Sequence, residues 1–205
     1  MGLPELFTVS SVVALVLAEA RGVGVWATKP LASTGFLWVA LARGALGSAY
    51  GRWIFAALVL SWWGDVLLLG RGRGAFLAGL GSFLLAHLAF SGAFLARGVS
   101  AVPALGALAV TGLFSVGVAR WLLPHVDAKM KPPVVAYVTC ITAMVSLAAG
   151  AAWSAGEPAL ALGAVLFLLS DLAVARDRFV APGFDNRAWG LPLYYAAQVV
   201  LARTV

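Results

Sequence analysis

Asp65 and Asp171 each lie inside a run of apolar residues long enough to cross a bilayer, in similar settings: Leu60-Ser61-Trp62-Trp63-Gly64-Asp65-Val66-Leu67-Leu68 and Leu166-Phe167-Leu168-Leu169-Ser170-Asp171-Leu172-Ala173-Val174. A carboxylate in hydrocarbon costs about 2.5–3.5 kcal/mol on insertion scales, so it is rare there and by default marks a functional polar cavity. A purely structural contact between helices is met more cheaply by Ser, Thr or Asn. Of the six other acids, Glu5, Asp127, Glu157, Asp177 and Asp185 fall in loops or at the ends of apolar runs, where a carboxylate is simply solvated. Glu19, near the end of the first run, fits either setting. If Asp65 and Asp171 meet, repulsion between two buried carboxylates leaves one of them holding a proton, the condition for paired acid and base work.

The candidates to support that pair are few. His87 stands in the middle of the run Phe83-Leu84-Leu85-Ala86-His87-Leu88-Ala89-Phe90, about two turns deeper than Asp65. A lone membrane histidine is otherwise a packing residue. Gln198 follows Tyr194 by four residues and Tyr195 by three, so it shares a helix side with either. These tyrosines and Tyr137 compete with the plainer role of interfacial anchors. Lys29 interrupts an apolar run beside Pro30, within reach of an Asp or a lipid phosphate, whereas Lys131 beside Pro132 reads as ordinary cytoplasmic decoration. Trp62 and Trp63, next to Asp65, are weak candidates to line an acyl groove. The sequence has no Gly-rich phosphate loop and no metal-ligand spacing. Cys140 is the single cysteine, which leaves no intrachain disulfide, and His87 and His125 are the only histidines. No metal and no cofactor are expected.

The elements that must hold these residues are membrane helices. Of 205 residues 62% are hydrophobic and 11% charged, with a mean hydropathy of +0.98. A soluble domain is nearer half apolar and a quarter charged, so the expected fold class is an all-α integral membrane protein. The net charge of +6 is spread over short loops, which suits topology and lipid headgroups rather than nucleic acid. Arg21 follows the first apolar run instead of preceding it, against a cleaved signal peptide, and Leu6 stands where a myristoylation signal needs Ser or Thr. Eight spans are predicted, roughly 3–20, 26–42, 53–69, 75–96, 100–122, 132–153, 157–176 and 188–203. The second is the weakest because of Lys29, which can snorkel, and Pro30, which suits a first helical turn.

Loops after odd-numbered spans carry ten Lys and Arg, and the opposite side carries four: Arg43, Arg52, Arg97 and Arg203. The positive-inside rule then places both termini away from the cytoplasm, in a bacterial-type inner or cell membrane, with Asp65 and Asp171 both in the cytoplasmic half. Polar landmarks also recur in order. Lys29-Pro30 precedes Asp65 by 36 residues and Lys131-Pro132 precedes Asp171 by 40, while His87 follows Asp65 by 22 and Gln198 follows Asp171 by 27. An offset of four spans preserves direction, so one membrane domain over 1–205 is expected to contain two parallel repeats, 1–98 and 99–205.

A buried two-carboxylate site in a membrane bundle fits two chemistries, proton-coupled transport of a small solute and acid/base hydrolysis of a lipid. An inert scaffold would leave the carboxylates unexplained. Lys29-Pro30-Leu31, Ser61-Trp62-Trp63-Gly64-Asp65, Phe83-Leu84-Leu85-Ala86-His87, Pro133 with Tyr137, Gly163 through Asp171 and Tyr194-Tyr195-Ala196-Ala197-Gln198 together resemble the YhhN family, which includes the TMEM86 lysoplasmalogenases. The resemblance runs from about residue 29 to 198. It implies eight membrane helices and hydrolysis of the vinyl ether bond of a lysophospholipid substrate, with a fatty aldehyde and glycerophosphoethanolamine or glycerophosphocholine as products. Acid-catalysed cleavage of such a bond asks for a carboxylic acid and a second carboxylate, parts that fall to Asp65 and Asp171 in either order, with Lys29, His87, Tyr137, Tyr194, Tyr195 and Gln198 in support and membrane lipid as the surrounding partner.

The charge bias generates a direct expectation: a reporter fused after Val205 will be active on the non-cytoplasmic side only. Cytoplasmic activity would reverse the orientation.

Overall fold

Inside hydrocarbon every backbone N–H and C=O must be bonded within the chain, and apolar runs of this length solve that as helices. The computed structural model describes residues 2–205 and contains, among those residues, eight α-helices: α1 Leu3–Arg21, α2 Val25–Ala42, α3 Ala49–Leu68, α4 Arg73–Arg97, α5 Ala101–Leu122, α6 Lys131–Ala155, α7 Ala159–Ala175 and α8 Phe184–Ala202. Each lies within about four residues of a span expected from the apolar pattern, the widest gaps being the starts of α3 and α8. Six are long and apolar enough to cross a membrane; α2 and α8 are not among them. Lys29, Thr28, Ser33 and Thr34 dilute α2, and Asp185, Asn186 and Arg187 open α8.

Local signals set several boundaries. Gly22 (φ 69°) and Gly156 (φ 65°) end α1 and α6 in the left-handed conformation that side chains other than glycine's disfavour. Ser48 caps α3 by accepting from the Gly51 N–H at 2.9 Å. Pro30 departs from expectation. Because α2 begins at Val25, Pro30 sits inside the helix rather than in its first turn. Lys29 is correspondingly one turn into the helix, and its side chain turns inward instead of snorkelling outward. After α7 the chain widens into a π-type turn over Arg176–Val180, which carries it across to α8.

Sequential helices pack as hairpins, α1 on α2, α3 on α4, α5 on α6 and α7 on α8. The hairpins join through α2–α3, α4–α6, α6–α7 and α2–α8, with α1 and α3 also touching α8. The main core runs through the middle, including Phe36, Ile54, Leu58, Phe90, Phe167 and Leu201, and a smaller cluster of Phe76, Leu122, Val126, Met130 and Val134 packs beside it. α5 is the peripheral helix, burying only Ser115 and Leu122 and presenting Val102, Leu105, Val110 and Leu113 outward.

Close approach depends on small residues at a few points. A Cβ on Gly64 would stand 2.5 Å from the Phe83 ring, and one on Gly190 would stand 2.5 Å from the Ala173 methyl. Gly64 precedes Asp65, and Phe83 packs edge-on against Phe167 and Tyr194, so this contact sets the distance between α3 and the centre of the bundle. Gly64→Ala is therefore expected to destabilise the protein by about 1–3 kcal/mol through overpacking. Thermal unfolding in detergent checks this, and an unchanged melting temperature would show that Phe83 yields freely.

Candidate active site

Asp65 lies three residues before the end of α3 and is 2% exposed. Its carboxylate gathers donors from two other helices. From α2, Lys29 Nζ lies 3.4 Å from Oδ1 and Ser33 Oγ donates to Oδ2 at 2.6 Å; from α8, Tyr194 donates its hydroxyl to Oδ2 at 2.7 Å. Lys29 and Ser33 are four residues apart and so share a helix face. Tyr195 stands behind them, its hydroxyl 3.0 Å from Ser33 Oγ and 3.4 Å from the Lys29 carbonyl. Asp65 is thus held as one half of a buried ion pair whose remaining lone pairs accept hydrogen bonds, the arrangement that makes such a pair tolerable away from water.

Asp171 occupies the corresponding place on α7, four residues before its end, in different company. Tyr137 of α6 donates to Oδ2 at 2.8 Å. His87 of α4 brings Nε2 to 3.5 Å from the same oxygen. That separation is too long for a formed hydrogen bond, and Nε2 has no hydrogen-bond partner of its own. The other ring nitrogen, Nδ1, lies 2.7 Å from the Phe83 carbonyl. The ring is fully buried between Phe167, at 4.6 Å between centroids, and Tyr137, at 5.1 Å. Among the described residues no three His, Cys, Asp or Glu side chains converge as a metal site.

Asp65 and Asp171 line one cavity of about 550 Å³, together with Lys29, Tyr137 and Tyr194. Its wall divides by helix. α4, α5 and α6 contribute Phe76, Leu80, Phe114, Val118, Val138 and Ile141, while α1, the π-type turn and the start of α8 contribute Glu19, Asp177, Arg178, Asn186 and Arg187. Arg187 knits the second group together, its guanidinium 3.0 Å from Glu19 and 3.1 Å from Asp177. The cavity is amphipathic, and its volume is in the ordinary range for a small-molecule site.

The candidates chosen by sequence therefore form two clusters, Lys29, Tyr194 and Tyr195 around Asp65, and Tyr137 and His87 around Asp171. The rings of Tyr194 and Phe167, 5.6 Å apart, lie between them. His87 belongs with Asp171 rather than with the Asp65 it follows in sequence. Gln198 joins neither cluster: it is fully buried one turn beyond Tyr194, and both its amide atoms lack hydrogen-bond partners among the described residues. Trp62 and Trp63 lie outside the cavity wall, Trp62 bonded through Nε1 to Thr34 at 3.2 Å and Trp63 half exposed. Lys131 is exposed at the start of α6. Sequence reasoning passed over Ser33, although its place four residues after Lys29 in an apolar run was the available signal. It also treated Asp177 and Arg187 as loop charges, and only the fold brings them to the cavity with Glu19.

Residues 24–205 match the model of the YhhN family. Among curated proteins the chain is 36% identical over 177 residues to one from Mycobacterium tuberculosis named lysoplasmalogenase, covering 80% of this chain and 64% of that relative. It is 34% identical over 155 residues to lysoplasmalogenase TMEM86A of Bos taurus, covering 73% of this chain and 63% of the relative. With lysoplasmalogenase TMEM86B of Rattus norvegicus it shares 35% identity over 166 residues, 81% of this chain and 65% of the relative. The chain thus spans slightly less than two thirds of these relatives' length. No solved structure matches it.

The ion pair predicts a double-mutant outcome. Lys29→Met strands the Asp65 carboxylate and should cost on the order of 3–5 kcal/mol of stability. Adding Asp65→Asn removes the stranded charge and should restore most of the loss in thermal unfolding. Simple additivity of the two losses would show that the pair is not coupled.

Proposed function

The chain belongs to the YhhN family, and from that membership we propose that it is a membrane lysoplasmalogenase, hydrolysing the vinyl ether bond of a lysoplasmalogen to a fatty aldehyde and glycerophosphoethanolamine or glycerophosphocholine. The observation that carries the reading is the pair of carboxylates, Asp65 and Asp171, on the wall of one amphipathic cavity. A lysolipid has one alkenyl chain and one charged head, with the vinyl ether where the two meet. The apolar wall of α4, α5 and α6 suits the chain. Arg187, Arg178, Glu19 and Asp177 suit a head that carries both phosphate and amine. Lys29, with donors beyond the one aimed at Asp65, is placed for the phosphate.

The chemistry asks for an acid. A vinyl ether resists bases and nucleophiles, but a proton delivered to its outer carbon draws the π electrons into a new C–H bond. The ether oxygen then shares its lone pair and an oxocarbenium ion forms. Water adds to the alkenyl carbon, and the hemiacetal collapses to aldehyde as the glycerol oxygen takes up a proton. The cation resembles that of glycoside hydrolysis, in which one carboxylic acid donates and a second carboxylate stabilises charge or activates water. Asp65 and Asp171 take these parts, with Tyr137, Tyr194, Tyr195 and His87 holding them in place.

The same reading includes eight membrane crossings, both termini outside the cytoplasm, and two parallel repeats. The neighbour pattern supports the repeats, because shifting by four helices turns α2–α3 into α6–α7 and α4–α6 into α8–α2, all pairs that pack. The site follows the same shift. Asp65 on α3 is held from α2 and α8, and Asp171 on α7 from α6 and α4. Tyr194 follows Asp171 by 23 residues as His87 follows Asp65 by 22, which makes Tyr194, rather than Gln198, the counterpart of His87.

Purified protein should release free aldehyde from a lysoplasmalogen, and Asp65→Asn and Asp171→Asn should each nearly abolish release while leaving a folded protein. In heavy water one deuterium should appear on the carbon next to the aldehyde, in controls that exclude slow enolisation. In oxygen-18 water the glycerophospho product should stay unlabelled. Near-normal turnover by either variant removes that carboxylate from the mechanism, and aldehyde without carbon-bound deuterium rules out protonation at carbon.

A further inference from the structure

Hydrogen-bond accounting separates the two carboxylates. A backbone carbonyl can only accept, so the 2.7 Å contact between His87 Nδ1 and the Phe83 carbonyl requires the proton to be on Nδ1. In a neutral imidazole Nε2 is then an acceptor. That nitrogen is fully buried, lacks a hydrogen-bond partner, and has one acidic neighbour, Asp171 Oδ2 at 3.5 Å. A carboxylate has no hydrogen to offer an acceptor nitrogen, whereas a carboxylic acid has one. The alternative is an imidazolium facing a carboxylate. That would put two charges among Phe83, Phe167 and Tyr137 with no further ionic partner within salt-bridge distance among the described residues, at several kcal/mol of desolvation per ion. The neutral arrangement needs no such compensation. Tyr137 is compatible with it, since its hydroxyl donates at 2.8 Å to an oxygen that still has a lone pair to accept with.

Asp65 presents the opposite case. Its two oxygens face Lys29 Nζ, the Ser33 hydroxyl and the Tyr194 hydroxyl, every one able to donate. Tyr195 can direct its own proton to Ser33, and the Ser33 hydrogen, with the Lys29 carbonyl at 3.0 Å as its other acceptor, goes to the shorter and charged contact with Asp65 at 2.6 Å. A proton on Asp65 would compete with these donors and leave Lys29, whose side chain is 13% exposed, without its counter-charge.

We infer that Asp171 is the proton-carrying acid of the site, with His87 as its positioning residue, and that Asp65 is the permanently ionised carboxylate. This assignment rests on the hydrolase reading only for what the proton is used for, not for where it resides. In the reaction the Asp171 O–H bond breaks and its proton forms the new C–H bond at the outer vinyl carbon. The Asp171 carboxylate left behind takes a proton from the water that adds to the alkenyl carbon, which restores the acid. Asp65 keeps its charge throughout and supplies the fixed negative pole beside the developing cation. His87 does not line the cavity. It acts as the acceptor that faces Asp171: a small turn of the protonated carboxyl closes the 3.5 Å gap into an O–H···N bond, which gives the acid's proton a defined resting place and keeps the group neutral. Asp171 is the more open of the two, with a side chain 18% exposed against 3% for Asp65, as a group that must reach substrate requires.

Infrared spectroscopy of the full-length protein in lipid at neutral pH tests this without turnover. The C=O stretch of a protonated carboxylic acid, shifted slightly in heavy water, should be present in the wild type, lost in Asp171→Asn and retained in Asp65→Asn. His87→Leu should move the band to higher frequency, because the acid loses its acceptor; this second variant decides the matter if Asp171→Asn does not fold. A band lost in Asp65→Asn but retained in Asp171→Asn reverses the assignment. No protonated-acid band in the wild type, or one that His87→Leu leaves in place, overturns it. Aldehyde release from the wild type is scored separately, so a protein with the expected spectrum and no aldehyde would disprove the hydrolase reading while leaving the proton on Asp171.

Discussion

One buried carboxylate organises half of this bundle. Asp65 belongs to α3, but every group that satisfies it comes from α2 or α8, two helices distant in sequence and adjacent only in the fold. A charge removed from water must be matched, and the match here is a lysine one turn into α2 and a tyrosine in the middle of α8. The remaining hydroxyls, Ser33 and Tyr195, extend the same demand outward. Moving any of these three helices would expose or strand a charge, so the polar site and the packing of α2, α3 and α8 are a single constraint.

The second acid of the cavity, Asp171 on α7, keeps different company. Where Asp65 meets an ammonium group, Asp171 meets a phenol and an imidazole. Two acids at matched places can do different work only if their surroundings differ, and on the proposed mechanism one must give up a proton while the other must not hold one. On the proposed two-repeat reading the halves offer matched placement, and the side chains at a few positions create the difference.

Much of the frame was legible in the sequence because the bilayer enforces it. Apolar length reported the helices, and the cost of a buried carboxylate picked out Asp65 and Asp171 without any knowledge of their neighbours. Partnership was harder to read. The sequence marks His87 as a candidate about two turns deeper than Asp65 but does not say which acid it meets, and the fold turns it to Asp171. Gln198 shares a helix side with Tyr194 or Tyr195, but one helical turn decides which side chain arrives, and Tyr194 arrives. Ser33 was overlooked because serine is common in membrane helices, and its meaning comes only from the acid opposite. Glu19, Asp177 and Arg187 looked like isolated charges at chain bends, because nothing local reports that three separate segments meet.

The two helices that fall short of membrane-spanning apolarity, α2 and α8, are the two that supply the ligands of Asp65. This bears on how the chain is assembled. Lys29 at depth carries an insertion penalty of about 2.5–3.5 kcal/mol, which α2 cannot recover until α3 is alongside with Asp65. Nor can the polar face of α8 be satisfied before α2 and α3 have paired. On the proposed reading that all eight helices cross the bilayer, biogenesis has a built-in order: the self-sufficient helices can settle first, and α2 and α8 become stable residents only as the site closes. A chain that fails to form the site would then also be a chain with two poorly retained segments, open to removal by membrane quality control.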